Sequence, residues 1–397
     1  MSDPALDTAL PSTAPALVAR APRPSVARPA AVAADPLIEA LRGFAALLVA
    51  YFHCRQVTWI GMGAFHASQP SLAQPGTLAA WLTLPVAWGS AGVPIFFVIS
   101  GYCIHRSGAA KLFANPDFRL DARQFWLRRF VRIYPVLLAA LVLTFAADSI
   151  SLTLQPVSHK ILDIGPRAFL VNLFSLQGVA GKTYGSNGAL WTLSLEVQFY
   201  LLYPLVFALR RRFGLSAVIA GVAAVNVVSA LTLQRYDIIV FTSYWFSWVL
   251  GAWIAEARLR GSEGFPFAYA AAALLAAAGC AAFHFGQYGA FQLWAGAFAC
   301  YLAKALARTP QGKGNGNGSG IVVPALAKIG DFSYSLYLIH LPLFVLLGSL
   351  LYRSALQSSI WPSFGFTLAV LPVAWVFYRL FERPALNAAG RLRHRTV

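Results

Sequence analysis

Three side chains of this sequence are able to do acid–base chemistry where such groups are costly to place: Glu196, His53 and His340 all fall inside long apolar segments. An ionisable group at membrane depth costs several kcal/mol, so each is a functional candidate by default. Glu196 lies about six residues into the apolar stretch 190–209, roughly 9 Å deep at 1.5 Å per residue. His53 sits about five residues from the end of the stretch 37–58, at a comparable depth. A His53–Glu196 pair is therefore geometrically open, in which the carboxylate orients the imidazole and raises its basicity toward a hydroxyl proton. A helix–helix hydrogen bond that only holds two segments together accounts for the same residues. The remaining Asp and Glu residues fall in tails, loops or segment ends.

Spacing adds a path to this pair. Arg42 and His53 are eleven residues apart, three helical turns plus about 20°, so both share one stripe about 16 Å long. Arg42 alone also reads as a snorkelling helix-end cation. Arg129 and Arg132, in the run Phe125 to Pro135, are i and i+3 and able to grip one anion together. A phosphate-bearing nucleotide donor suits them, as do lipid phosphate and topology. Ser333, Tyr337 and His340 follow i, i+4, i+7 and share a face, lining one cavity or bonding between helices. His, Asp and Glu nowhere cluster at ligand spacing, so no metal site is expected.

The elements that must position these groups are set by composition. The chain has 397 residues, of which 58% are hydrophobic and 11% charged, with mean hydropathy +0.62. A soluble surface needs roughly 25% charge, which excludes soluble multidomain readings. The net charge of +17 sits in short basic clusters between apolar runs, the pattern of membrane topology, and does not point to nucleic acid. Cys54, Cys103, Cys280 and Cys300 lie in apolar segments with neither metal nor disulfide spacing. Residues 1–35, rich in Ala and Pro, read as a disordered cytoplasmic tail without the apolar core of a signal peptide.

At about 20 apolar residues per crossing, the sequence predicts an all-α, polytopic membrane bundle of about ten spans. These lie near 37–58, 84–105, 130–148, 190–209, 215–233, 238–256, 267–284, 289–306, 329–351 and 361–381. Alternating the loops assigns 25 of the 31 Lys and Arg residues to one side, which puts both termini in the cytoplasm. The expected organisation is the tail 1–35, a membrane domain over 36–385 carrying a flexible cytoplasmic linker at 309–322, and a basic cytoplasmic tail over 386–397. A long cytoplasmic loop is expected at 106–129 and an external one at 149–189. The latter contains the short apolar stretch 168–176, of re-entrant or interfacial character.

Five segments together resemble the acyltransferase 3 family of bacterial membrane acyltransferases. Leu41 to His53 matches its Arg-x10-His motif, and Gly92 to Tyr102 its second-span signature. Arg129-Phe-Val-Arg132 with Tyr134-Pro135 matches Arg-x-x-Arg and the trailing Tyr-Pro. Trp191 to Tyr200, with Tyr203-Pro204, is similar to its Trp-Ser-Leu-x-x-Glu-x-Gln-Phe-Tyr segment, and Ser333 to His340 to Ser-Tyr-x-x-Tyr-Leu-x-His. Thr192 stands where Ser is usual and Val197 where a second Glu is frequent. The resemblance, over roughly 37–385, implies transfer of an acyl group, often acetyl, from cytoplasmic acyl-CoA to a hydroxyl of an extracytoplasmic glycan or glycoside.

The same resemblance implies roles for individual residues. His53 becomes the catalytic base or acyl relay with Glu196 as partner, while Arg129, Arg132 and Arg42 hold acyl-CoA. Ser333, Tyr337, His340 and Trp191 line the pore or acceptor site. No bound cofactor is expected. The expected setting is the bacterial inner membrane, in contact with lipid and with an envelope polysaccharide or glycolipid acceptor. The chain reads as the stand-alone form without a hydrolase-like domain, so the bundle does the whole reaction or a separate periplasmic protein finishes it. The competing reading is a proton-coupled transporter or flippase, which an Arg–His stripe and a buried Glu suit equally well.

Overall fold

A computed structural model describes residues 35–68, 70–71, 73–154, 160–236, 238–309 and 321–394. Those residues form an all-α membrane bundle with a single isolated bridge between Gln177 and Gly181. Its first half comprises α1 (Pro36–Thr58), the short α2 (Met62–Ala67) and α3 (Pro75–Leu82), α4 (Gly92–Ala114), α5 (Ala122–Thr153), the short α6 (Pro166–Leu173) and α7 (Trp191–Phe213). Then follow α8 (Leu215–Leu231), α9 (Phe241–Leu259), α10 (Ala268–Ala282), α11 (Gln287–Arg308), α12 (Val322–Asp331), α13 (Ser333–Leu350), α14 (Trp361–Phe377) and α15 (Arg383–His394).

Nine helical stretches among the described residues are long and apolar enough to cross a membrane. The expected span at 238–256 is helical too, as α9, but falls outside that set by composition. It is wedged between α4, α8 and α11 and buries Ser243, Ser247, Trp248 and Glu256. A helix surrounded by protein is released from the requirement to be lipophilic. The α4–α9 contact is a small-residue crossing: a Cβ on Gly101 would come 1.9 Å from the Trp248 carbonyl oxygen, and one on Gly251 2.0 Å from that of Val98. Without a hydrophobic drive between helices in lipid, such close backbone packing holds the pair.

Several expected boundaries move. The loop anticipated at 106–129 is mostly helix, because α4 continues to Ala114 and α5 begins at Ala122 behind the cap Asp121. The span expected from residue 84 starts instead with a 3-10 stretch, Leu84–Ala91. His105 is thereby well inside α4, not at a span end. The apolar stretch 168–176 contributes to the single short helix α6. The basic tail expected over 386–397 is helical up to His394, running on from α14 through a π-turn, Tyr378–Glu382. Residues 1–34 of the expected tail and 310–320 of the expected linker lie outside the described residues. Asp35 caps α1 through the amide of Leu37 and pairs with Arg258 at 2.6 Å.

Prolines inside helices shape the interior. A proline has no N–H for the carbonyl four residues earlier; in lipid that carbonyl must find another donor. Pro204 frees the carbonyl of Tyr200, which accepts from the Trp126 indole at 3.1 Å. Pro342 frees that of Leu338, which accepts from the Asn187 side chain at 2.8 Å. The first bond ties α5 to α7; the second ties the loop before α7 to α13, two residues from His340.

Candidate active site

Two cavities run along the interior between α1, α4, α7 and α13. The first, of about 120 Å³, is lined by Arg42, Arg129, Arg132, Glu196, Tyr200 and Tyr334, among others. The second, of about 470 Å³, is lined by His53, Gln56, Lys160, Ser186, Trp191 and Gln287, among others. Val93 and Tyr337 line both. On α1 the arginine cavity and the histidine cavity are separated by the eleven residues from Arg42 to His53, about 16 Å.

The arginine cavity is rich in donors that lack acceptors. Among the described residues Arg129 and Arg132 take part in no hydrogen bond or ion pair with a protein acceptor. The buried Nε of Arg129 and the buried hydroxyl of Tyr334 have no partner. Arg129 lies over the rings of Phe125 and Tyr200, at 5.5 and 5.6 Å from their centroids. Arg42 pairs with Glu39 at 3.2 Å. Buried donors are nearly always satisfied, so an unsatisfied set around a cavity calls for an absent acceptor. Ser333, another lining residue, spends its hydroxyl on the Gly330 carbonyl at 2.8 Å.

Glu196 belongs to this cavity, not to the histidines. It accepts from the Tyr200 hydroxyl one turn along α7 and from Ser100 on α4 at 3.4 Å; Ser100 in turn accepts from the Trp248 indole at 3.2 Å. The expected His53–Glu196 pair is therefore corrected. Equal depth is not equal azimuth, and Glu196 points along α7 toward Tyr200 while His53 faces α13.

His53 meets His340. Its Nδ1 lies 2.8 Å from Nε2 of His340, with the rings 14° from parallel. The Nδ1 of His340 lies 3.0 Å from the Leu336 carbonyl, which only accepts, so His340 donates there. Its Nε2 is then an acceptor, and His53 donates from Nδ1. This fixes the neutral tautomer of His53 with a bare lone pair on Nε2. His340 is fully buried, whereas His53 borders the cavity. A buried, self-satisfied imidazole orienting an accessible one is the arrangement a general base needs. Nothing in the spacing of either segment pairs these histidines; the rotation of α1 against α13 brings them together.

A loop closes the histidine cavity. Buried Asp148, at the end of α5, accepts from the amide and hydroxyl of Ser186 at 2.7 and 2.5 Å. Gly185 adopts φ +54°, and a Cβ there would sit 2.0 Å from Asp148 Oδ2. Trp191 offers the cavity a ring held against Tyr244 and Phe291.

Sequence reasoning missed a second polar cluster. Glu256, fully buried on α9, accepts from His105 at 3.0 Å, Arg210 at 2.5 and 2.9 Å, and Arg260 at 2.7 Å. Asp148, Glu256 and Glu382 are all buried, against the expectation that Glu196 alone lies inside. Each stands near a helix end by sequence, where neighbouring elements rather than its own segment decide burial. No group of three or more His, Cys, Asp or Glu among the described residues is arranged to hold a metal ion.

Residues 35–379 match the family model for an acyltransferase domain. Acyltransferase MdmB of Streptomyces mycarofaciens is 27% identical over 394 residues, 90% of this chain and 93% of its own. BcsY of Komagataeibacter xylinus, named as a membrane-bound transacylase, is 29% identical over 373 residues, 89% of this chain and 83% of its own. O-acetyltransferase OatA of Staphylococcus aureus is 31% identical over 163 residues, 38% of this chain but 25% of its own. No solved structure matches the chain. The family match takes in every residue of both cavities, so the transporter reading gives way: the chain belongs to the acyltransferase 3 family and is a multi-pass membrane O-acyltransferase.

Proposed function

We propose that the protein moves an acyl group, acetyl in the first instance, from cytoplasmic acyl-CoA to a hydroxyl of an extracytoplasmic glycan or glycoside, and that it works in the bacterial inner membrane. The observation that carries this reading is the pair Arg129 and Arg132, lining a cavity without a protein acceptor for either guanidinium. Phosphate groups of a nucleotide-bearing donor supply such acceptors in charge-assisted, bidentate form. The excess of Lys and Arg on that side supports a cytoplasmic opening. The histidine cavity is the acceptor side in this reading. Trp191 provides an apolar face for a sugar ring, while Gln56, Gln287 and Lys160 provide hydrogen bonds.

In the reaction, the acceptor hydroxyl gives its proton to Nε2 of His53 as its oxygen attacks the thioester carbon. The carbon–sulfur bond then breaks, and the CoA sulfur leaves with the proton that His53 returns. His340 keeps the base in the competent tautomer throughout. Glu196 and Arg42 act on the donor side, Glu196 by holding Tyr200 beneath Arg129. The bundle does the whole transfer, with no bound cofactor.

The test uses the full-length protein in proteoliposomes with radiolabelled acetyl-CoA and purified envelope polysaccharide of the host. Label is expected in the polysaccharide in proportion to CoA released, and His53→Ala abolishes both. Polysaccharide labelling that is absent, or that survives in His53→Ala, refutes the reading.

A further inference from the structure

The arginine cavity and the histidine cavity share Val93 on α4 and Tyr337 on α13, and residues that line two adjoining cavities bound the passage between them. On α4 the lining changes from Ser90 in the histidine cavity through Val93 to Phe96 in the arginine cavity. Val93 and Phe96 are about 4.5 Å apart along the axis, so the passage is a short apolar throat. The residues that form it are fixed. Thr192 donates to the Ala189 carbonyl at 3.2 Å, and its oxygen is left to accept the Tyr337 O–H at 2.8 Å. The tyrosine ring is held by an edge contact with Phe96 at 5.6 Å and by His340 at 5.7 Å between centroids. Val93 is buried, and a β-branched side chain on a helix keeps essentially one rotamer. The α4 backbone beside it already rests on α1, where a Cβ on Gly92 would come 2.6 Å from Val49 and 2.8 Å from the Ala45 carbonyl oxygen.

Given the proposed function, on which this inference rests, the thioester reaches into this throat: its CoA portion stays among the arginines while its carbonyl carbon comes within reach of a hydroxyl activated at His53. The acyl chain enters ahead of the carbonyl. A straight chain presents the cross-section of one methylene along its whole length, so the throat does not count carbons. A branch next to the carbonyl adds a methyl at a single level, against side chains that do not yield. We propose that Val93 is a specificity-determining residue of the acyl transfer, which with the fixed Tyr337 ring admits unbranched acyl groups and rejects those branched at the carbon next to the carbonyl. One methyl too many in an apolar site of this kind changes kcat/KM by about 10- to 200-fold.

The test avoids the unidentified acceptor by using hydroxylamine as nucleophile: acyl-CoA and hydroxylamine give the hydroxamate and free CoA, read above the rate in protein-free liposomes. The reconstituted full-length protein is given acetyl-CoA, propionyl-CoA and isobutyryl-CoA in turn. The parent is expected to use isobutyryl-CoA about 10- to 200-fold less well than propionyl-CoA in kcat/KM, and Val93→Ala to bring the two within about threefold. Val93→Ile, which narrows the throat, is expected to widen the gap. Each value is a ratio within one preparation, so it does not depend on how much of a variant folds. A parent that uses isobutyryl-CoA as well as propionyl-CoA overturns the inference, as does a parental ratio in Val93→Ala or, should that variant fail to insert, in Val93→Ile. A parent that releases CoA from none of the three instead defeats the proposed function, a result distinguishable from these.

Discussion

His340 stacks on His53 at 5.1 Å between ring centroids, and its outer nitrogen is committed to the backbone of its own helix at Leu336. The direction of the chain follows: the α13 backbone fixes His340, His340 fixes His53, and only His53 reaches the cavity. A second neutral imidazole, that of His340, thus stands where the carboxylate of a His–carboxylate pair is usually placed. A second histidine adds no negative charge to a dry interior, and so avoids the desolvation cost of a buried carboxylate.

His340→Ala is expected to lower kcat by about 10²-fold, the lower end of what general-base catalysis supplies, with acyl-CoA KM nearly unchanged. His340→Gln, whose amide oxygen can accept from Nδ1 of His53, is expected to retain a larger share. The base must be unprotonated, so parental activity falls as pH drops through its titration, and this acid limb moves in His340→Ala. In Glu196→Gln the limb is expected to stay in place, because Glu196 bonds Tyr200 and Ser100 instead. A limb displaced in Glu196→Gln and fixed in His340→Ala would restore the carboxylate pairing.

For the arginine cavity, Arg129→Ala and Arg132→Ala are each expected to raise the acyl-CoA KM by about 10–100-fold, from the 1.5–3 kcal/mol of a hydrogen bond to a charged group. Lysine at either position keeps charge but loses the bidentate fork, so only partial recovery is expected. Equilibrium binding of acetyl-CoA by membranes of each variant measures this directly. Parental affinity in both alanine variants removes the donor assignment.

Much of this architecture was legible in the sequence because lipid makes apolar length a strict code. The spans holding Arg42, His53, Glu196 and His340 fall on α1, α7 and α13, and hydropathy finds them all. What it does not encode is azimuth. His53 and Glu196 share a depth yet face different neighbours, since that depends on how α1, α7 and α13 are rotated in the bundle. Glu256 was hidden for another reason: α9 is enclosed by protein, so its polar residues weaken the very signal by which spans are recognised. The 3-10 start of the α4 span misplaced His105 in the same way, by shifting the apparent window along the chain.

The cluster around Glu256 is expected to govern stability, not turnover. Its carboxylate is fully buried and bonded to His105 and Arg210, whose side-chain exposures are 0% and 15%. Glu256→Ala strands those partners, and removing one member of a buried pair costs about 3–5 kcal/mol. Arg260, 54% exposed, contributes at most about 1 kcal/mol. Thermal unfolding in detergent should show a large loss for Glu256→Ala and a small one for Arg260→Ala, with kcat per folded molecule preserved in both. A Glu256→Ala protein as stable as the parent would mean that water already satisfies the cluster.

The loop over the histidine cavity makes a separable prediction about the acceptor. Asp148 is buried and fixes Ser186 through two bonds, so α5 dictates where Gly185, Ser186 and Gly188 line the cavity. Ser186→Ala removes the hydroxyl bond to a charged acceptor, worth about 1.5–3 kcal/mol, and leaves the amide bond in place. The loop loosens without detaching. With the donor cavity on the far side of Tyr337, the acceptor KM is expected to rise several-fold while the acyl-CoA KM holds. Gly185→Ala should be more severe, since its Cβ would meet Asp148 Oδ2 at 2.0 Å in a backbone conformation of φ +54° that favours glycine. Steady-state kinetics with each substrate varied in turn separates the two sides. A Ser186→Ala defect that appears in the acyl-CoA KM alone would place this loop on the donor path and reverse the assignment of the two cavities.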